Sequence, residues 1–569
     1  MLSALSRALV LSRPPSPGYP QPPPDSELFA PPDLLKKVKP LRATKKKSAE
    51  PDLAREEVKA RFLSAESLLK KVFVQHPNYG HIVKAILEHG FENLAEQVPL
   101  AVGVPLHPTL GSPTRSLDEI YERLGDLSFT AEFKYDGQRV QMHARRREGG
   151  DSKHLVKLFS RHLEDLTEKY PDILSLVDCI FENSPEISSF IIDAEIVAVD
   201  PVNGDVRSFQ ELSNRPKKDV NLRDVKVVVC VYAFDLMYFN DKILLSEPFR
   251  TRRDLLRTNF PQYIPEDKYT ARLDHVESCE GDDGREVVEE FFQRAVDSKS
   301  EGLMIKLLDS GEVVEVVDEG EDDDVVMEDA STSSPKKEKK KSTRRKPLPA
   351  TYEPDKRTSA WLKLKKDYVQ GLGDSFDLVP VGGWHGMGRK NKWWSPVLLA
   401  IFDPKRDCLV AVCKCMSGFT DTFYQAMAEK YKLDSDMCSK QPFPGIQVDY
   451  GAESPINHFA CADLRPSVYF KPSEVWELQG ADITISPRSV AALGLISDQR
   501  GLSIRFPRFI RTREDKSIED ATGPDMLAEL YRKQEGRNGG GKAKGGVDEG
   551  DLLDPESEEE EELEEEEEI

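Results

Sequence analysis

The sequence predicts a multidomain α+β protein: a large mixed domain followed by a small β-barrel, with a remnant helical domain in front. Three observations predict it. Between about 101 and 366, β-branched and aromatic runs of strand length alternate with helical stretches. From about 367 to 535 come five or more short strands cut by Gly, Pro and Asp turns, with few helices between them. Residues 53–100 alone carry a purely helical pattern. A chain of 569 residues has room for about three or four such units.

Residues 1–52 are proline-rich, then basic (KKVKPLRATKKK), and are expected to be disordered. Their opening, MLSALSRALVLSRPPSPGYP, has Arg7, Arg13, four serines and no acid before Asp25. That composition fits a mitochondrial transit peptide and an unstructured tail alike. The lysine cluster reads equally as a nuclear-import signal or a solvated tail. In NYGHIVKAILEHGFENL, Ile82, Val83, Ile86 and Leu87 follow helical spacing, and Gly90 is placed to end the helix. HLVKLFSR, SFIIDAEIVAVD, VKVVVCVYAFDLMYF, EGLMIKLL and AWLKLKKDY read as strands, with helices at 247–258 and 285–297. Residues 311–350 interrupt this pattern: they are acidic first (EGEDDDVVMEDA), then basic (KKEKKKSTRRK), and are expected to form a disordered surface insertion. FDLVPVGG, PVLLAIFD, LVAVCKCM, VYFKPSEVWELQGADITIS and LSIRFPRFIRT supply the barrel strands, and 536–569 form a Gly-rich linker and an acidic tail.

Net charge is −22, but residues 548–569 hold fifteen acids and no base, and without them the chain carries −7. The low overall charge therefore does not exclude a nucleic-acid partner, because local basic patches decide that. Cys413 and Cys415 share a strand face near Cys408, yet no His or second Cys pair lies at zinc spacing, so strand packing is the better reading. Scattered cysteines fit a reducing compartment. No apolar run reaches about 18 residues, so no membrane span is expected.

The chemistry centres on AEFKYDGQRVQMH. With period 2, Phe129, Ala131, Phe133 and Tyr135 lie on one face, and Glu132, Lys134 and Asp136 on the other. An ordinary edge strand ending in an Asp136-Gly137 turn also fits. No Gly-x4-Gly-Lys-Ser/Thr loop occurs, and no Gly-x-Gly-x-x-Gly opens a helix after a strand, so bound phosphates would need side-chain cations. Strand ends offer them: Arg139, Arg161, Lys306, Lys363 and Lys365, with carboxylates at Glu195 and Glu301. Each alone reads as a solvated charge. Together they suit phosphoryl transfer through a covalent lysine, which must attack as a neutral amine. Neighbouring cations or a metal are expected to lower the Lys134 pKa. Glu195 and Glu301 suit Mg²⁺, an oxygen-seeking ion.

KYDGQR resembles the lysine motif of the ATP-dependent DNA ligases, within the wider covalent nucleotidyltransferase superfamily. LFSRHLEDLTEKYPD, IIDAEIVAVD, YAFDLMYFN, EGLMIK, WLKLKKDY and RFPRFIRTREDK follow in the family's order, and the wording is nearest its eukaryotic replicative branch. The resemblance covers about residues 55–535. It implies an adenylation (nucleotidyltransferase) domain with antiparallel sheets at 101–366, an OB-fold barrel at 367–535, and part of a helical DNA-binding domain at 53–100. It implies that Lys134 takes AMP from ATP, that Glu132 accepts a hydrogen bond from the adenine amino group, and that Phe234 stacks on adenine. Arg139 and Arg161 would contact ribose or phosphate, Lys306 would line the nucleotide site, and Lys363 and Lys365 would neutralise the α-phosphate. Glu195 and Glu301 would serve Mg²⁺ and ribose. Arg505, Arg508 and Lys516 would orient the pyrophosphate. Phe209 and Phe506 would pack into the minor groove of nicked double-stranded DNA, and Arg389, beside Lys390, would touch DNA phosphates.

Three features depart from the family pattern, one being the 311–350 insertion between EGLMIK and WLKLKK. Only the last helices of the helical domain are seen, so tight encirclement of the duplex is not expected. No Gln-x-x-aliphatic-x-x-aromatic-aromatic motif for a sliding clamp appears near the N-terminus. A monomer is expected, in the nucleus or alternatively the mitochondrion. Two other functions share parts of this pattern: an RNA ligase or mRNA-capping enzyme, and a non-catalytic DNA-binding protein derived from a ligase.

Overall fold

The structure is a computed structural model. It describes residues 1–13, 19–38, 53–147, 154–213, 215–216, 220–267, 269–318, 341–366, 374–433, 435–451, 464–486 and 488–537. The basic cluster at 39–47, the Gly-rich linker and the acidic tail lie outside them. Among the described residues no helix is long and apolar enough to cross a membrane.

Two sheets make the central domain. In the first, Leu110–Thr114, Arg357–Lys365, Gly302–Leu307, Phe129–Lys134 and Ser278–Glu280 are neighbours in that order. All pair antiparallel except Leu110–Thr114 with Arg357–Lys365, which is parallel. In the second, the order is Leu155–Ser160, Gln138–Arg145, Ser189–Ala198, Val229–Phe239 and Lys242–Ile243, with Arg272–His275 added parallel to Val229–Phe239. Period-2 alternation decides how the sheets sit. Phe129, Ala131 and Phe133 pack on the helix Arg285–Asp297, where Phe133 meets Phe291 at 4.6 Å between ring centroids. In Ser189–Ala198, Phe190, Ile192, Ala194 and Ile196 turn to the helix Pro171–Asn183, whereas Ile191 and Val197 join the first sheet's core. Asp193 and Glu195 share this second face, so the two sheets enclose a cleft whose walls are apolar and whose floor is charged.

A glycine makes one close approach possible. Gly302 has φ +149°, and a Cβ there would lie 2.1 Å from the Leu364 carbonyl oxygen. Gly302→Ala should therefore cost about 2–3 kcal/mol, through strain and loss of the Gly302–Lys365 pairing. A lowered urea midpoint with an unchanged slope is the expected reading; an unchanged midpoint would contradict this packing.

The barrel closes through five strands. Asp374–His385 pairs with Trp394–Asp403, which pairs with Cys408–Cys415. On its other edge Asp374–His385 pairs with Trp476–Gly480, which pairs with Arg508–Thr512. Ser417 then bridges Arg508 in parallel, and the Phe509 amide donates to the Ser417 carbonyl at 3.0 Å, closing the ring. Trp476, Phe509 and Cys408, Cys413 and Cys415 fill its interior, so these cysteines are core residues. The sequence pattern did not show the helix Asp421–Lys430, capped by Thr420, which covers one end.

Two expectations need correction. Residues 1–38 are not a free tail where described: Leu2–Leu11 and Pro32–Lys37 are helices against Leu53–Gln75. Leu9, Val10, Tyr19, Ala30 and Leu34 share a core with Val58, Leu69 and Ile86, while Arg7 and Arg13 pair with Glu66 and Glu92. Proline-rich composition hid an apolar spacing sufficient for burial. The inserted segment is also not wholly irregular, because its flanks Gly311–Asp318 and Lys341–Leu348 pair antiparallel as a two-stranded ribbon; 319–340 lie outside the described residues.

Candidate active site

Lys134 ends its strand at the mouth of the cleft, with its side chain about one-fifth exposed. The backbone breaks immediately after it because Asp136-Gly137 must turn against the second sheet: a Cβ on Gly137 would lie 2.3 Å from the Ile196 carbonyl oxygen. This contact sets the end of one sheet beside Glu195 on the other. The Glu301 amide donates to the Lys134 carbonyl at 2.8 Å, which holds the two side chains together. Glu301 Oε2 is 2.5 Å from Lys134 Nζ and 3.6 Å from Lys365 Nζ. The cations expected beside Lys134 thus come with a carboxylate, Glu301, in direct contact with it.

Burial is the main cause raising the Glu195 carboxyl, to about 8; Lys134 opposes it, and Glu301 adds to it. Burial also raises Asp136, against the pull of Arg505. Three carboxylates thus share a small, poorly solvated space beside the amine. Among the described residues no three His, Cys, Asp or Glu side chains converge on a single metal position.

Glu132 lies further along the same strand face, 2% exposed, and its carboxylate is 2.7 Å from Lys306 Nζ. The Lys306 ammonium sits 4.4 Å from the Phe234 ring centroid, 4.8 Å from Phe249 and 4.5 Å from Trp361. Burial pushes the Lys306 pKa down, and Glu132 pushes it up. Glu132, assigned from the resemblance to an adenine contact, here has Lys306 as its partner. Phe234 also lies under the Arg139 guanidinium, 5.5 Å from its carbon. Arg139 forks onto Asp193, with Nε to Oδ1 at 3.0 Å and Nη2 to Oδ2 at 2.7 Å. Arg161 and Lys363 line the same pocket.

The barrel supplies the lid. Arg505, at the end of Gly501–Arg505, enters the pocket and pairs with Asp136. Its guanidinium lies between Phe209 and Phe506, 4.6 Å from each ring centroid. Phe506 is 5% exposed, in the left-handed region at φ +51°, with Lys365 Nζ 4.7 Å from its ring. Of these two rings, both expected at a DNA groove, Phe506 is buried and Phe209 partly buried in this arrangement. Gln210 reinforces the docking by donating to the Ile485 carbonyl at 3.0 Å, and Lys366 lies 3.3 Å from Asp482. Of the other barrel residues, Lys516 does not reach the pocket: it bonds Asp377 at 2.6 Å, beside Arg513, because its turn folds back onto the barrel wall. Arg508 sits at the barrel seam outside the pocket lining. Arg389 falls in the turn Gly388–Lys390, its side chain outside the described residues.

Sequence reasoning missed Trp361, Tyr352 and Asp193 as parts of this site. Asp193 was visible on the Glu195 face, since the two differ by one strand period. Tyr352 carried no such signal, following directly on the inserted segment.

An amine at a strand end, with carboxylates and cations within reach and a cation-bearing lid above, is an arrangement able to carry a nucleotide on a covalent lysine. Comparison narrows the class. The family model described as "ATP dependent DNA ligase domain" matches residues 108–311, and "ATP dependent DNA ligase C terminal region" matches residues 390–516. DNA ligase 3 of Schizosaccharomyces pombe is 40% identical over 473 residues, 83% of this chain and 53% of its own length. DNA ligase 1 of Drosophila melanogaster is 35% identical over 490 residues, 86% of this chain and 56% of its own length. A DNA ligase of Saccharolobus islandicus is 33% identical over 473 residues, 83% of this chain and 66% of its own length. The chain belongs to the ATP-dependent DNA ligase family. It spans about half the length of the first two of these relatives.

Proposed function

We propose that this chain seals nicks carrying a 3′-OH and a 5′-phosphate in duplex DNA, using ATP, through a lysine-AMP intermediate, in replication, repair and recombination. The observation that carries this reading is the placement of Lys134 against Glu301, beside Glu195, under a lid that brings Arg505 to the same pocket. In the first step the neutral Lys134 amine attacks the α-phosphorus of ATP; a P–N bond forms, the bond to pyrophosphate breaks, and the amine loses its proton. Lys363 and Lys365 neutralise the phosphate, and Arg505 faces the leaving group. In the second step the 5′-phosphate of the nick takes AMP from the lysine; in the third the 3′-OH displaces AMP. Phe234 and Glu132 mark the base end of the pocket, with Arg139 and Arg161 toward the sugar and phosphate. The barrel must leave its seat for a duplex to approach, which would free Phe209 and Phe506 for the minor groove.

Mg²⁺ fits the donor set. Glu195 and Glu301 are carboxylates that repel one another in a partly buried site, and this ion keeps waters and phosphates in its remaining positions. When bound, it would draw carboxylate charge from Lys134 and polarise the phosphate. The raised Glu195 pKa gives a signed test. Its folded value, about 8, lies above the 4.5 of a free carboxyl, so the folded chain holds an extra proton between them. That proton's contribution to stability is fully present below pH 4.5 and is lost as pH rises through about 8. The cation must displace the same proton. At subsaturating Mg²⁺, self-adenylation should therefore rise by up to about tenfold per pH unit and level off near pH 8. A flat profile from pH 6 to 8 would contradict the assignment.

Nick joining itself is the functional test. Nicked DNA with ATP should be sealed, nicked RNA or GTP should serve poorly, and binding should weaken by about 10³-fold or more between 50 and 200 mM salt, as phosphate contacts require. Sealing of RNA alone, or a salt-independent affinity, would overturn the choice of substrate. The lysine clusters at 36–47 and 336–346 fit import signals and support a nuclear location.

A further inference from the structure

Tyr352 stands two residues beyond the core residue Ala350, where the chain re-enters the domain after the inserted ribbon. It is 2% exposed, and its ring packs edge-on to Trp361 at 5.9 Å. Its hydroxyl donates to Asp193 Oδ2 at 2.8 Å and accepts from the Thr109 amide at 3.3 Å. Asp193 is fully buried and is the carboxylate onto which Arg139 forks. Arg139 Nη1 donates to the carbonyl of the same Thr109 at 3.0 Å. Oδ2 of Asp193 thus takes one hydrogen bond from Arg139 and one from Tyr352. Arg139 Nη2 also donates to the Tyr352 hydroxyl itself at 3.4 Å, so the planar fork is pinned on one edge, its face rests on Phe234 and Trp361, and one Nη1 N–H is left for the pocket it lines.

We propose that Tyr352 is a positioning residue for nucleotide binding: its hydroxyl fixes the Asp193 carboxylate, which sets the plane in which Arg139 meets a ribose or phosphate oxygen. The inference rests on the nucleotide reading of the pocket above. A buried tyrosine could serve packing alone, and the ring already does so against Trp361. The hydroxyl is a separate matter, because it joins the Thr109 backbone to the carboxylate that holds the arginine. Support of this kind around a ligand-binding group typically changes affinity by about tenfold.

The test is equilibrium binding of an ATP analogue with a methylene bridge between the α- and β-phosphorus, which cannot give up AMP. Tyr352→Phe keeps the ring and removes only the hydroxyl. Its dissociation constant should rise about five- to tenfold. Asp193→Asn should weaken binding at least as much, and the double variant less than the sum of the two losses, because both groups hold the one guanidinium. An unchanged constant in Tyr352→Phe, additive losses in the double variant, or no binding by the parent chain would each overturn the proposal. A purely structural role would lower the melting temperature and leave the constant alone. Should the parent chain bind the analogue yet form no adduct with ATP, the ligase reading fails while this inference stands.

Discussion

Lys134→Ala should abolish nick sealing and leave no trace of covalent AMP, a loss of about 10⁴-fold or more, with little change in folding. The side chain sits at a strand end, one-fifth exposed, and pairs with Glu301 rather than filling the core. Losing it removes the nucleophile and one partner of Glu301 without opening a core cavity, and Lys365 Nζ remains 3.6 Å from that carboxylate, so the fold should be retained. No neighbouring amine can replace it: Lys365 is buried against Phe506, and Lys306 is held by Glu132 among aromatic rings. Lys134→Arg should fail equally, because guanidinium stays charged and is a poor nucleophile. Single-turnover labelling from α-labelled ATP measures the effect directly. Residual labelling above about one per cent would reassign the nucleophile.

Arg505→Ala should slow self-adenylation by about 10²-fold, the usual scale for removing one fixed charge donor from a transfer site. Two losses combine. The pocket loses the barrel's cation, and Asp136 is left as a buried carboxylate without its partner, so its already raised pKa climbs further. Arg505 is also the bolt of the lid, held between Phe209 and Phe506, so its removal should loosen the barrel's seat and enlarge the molecule in small-angle scattering. Sealing of a nick already carrying AMP on its 5′-phosphate bypasses this step and should fall by far less, under about tenfold. Equal losses in both assays would show that Arg505 serves all steps alike. Unchanged adenylation would place it outside the chemistry.

The strands of both domains were legible because period-2 alternation and turn residues recur with few interruptions. EGLMIK and AWLKLKK lie within or beside the strands they announced, at Gly302–Leu307 and Arg357–Lys365. Helices expected at 247–258 and 285–297 are Phe249–Asn259 and Arg285–Asp297. The N-terminal segment was misread because prolines and lysines dominate its composition, while the few residues that matter, Leu9, Val10 and Leu34, are buried only once the helix Leu53–Gln75 is present. The same limit applies at the site. A strand pattern places Lys134, Glu195 and Glu301 on usable faces, yet it cannot show that Glu301 lies at hydrogen-bonding distance from the lysine. Nor can it show that Arg505, some 370 residues away in sequence, meets Asp136. Tyr352 was invisible for this reason too, its partner Asp193 being brought to it by sheet packing across 159 positions.

The most direct measurement is intact-mass and peptide-mapping spectrometry of the full chain after brief incubation with ATP and Mg²⁺. The account predicts one added AMP, acid-labile as a phosphoramidate must be and located on Lys134, and its discharge when nicked DNA is supplied. An unmodified chain, or an AMP found on any other residue, would contradict it.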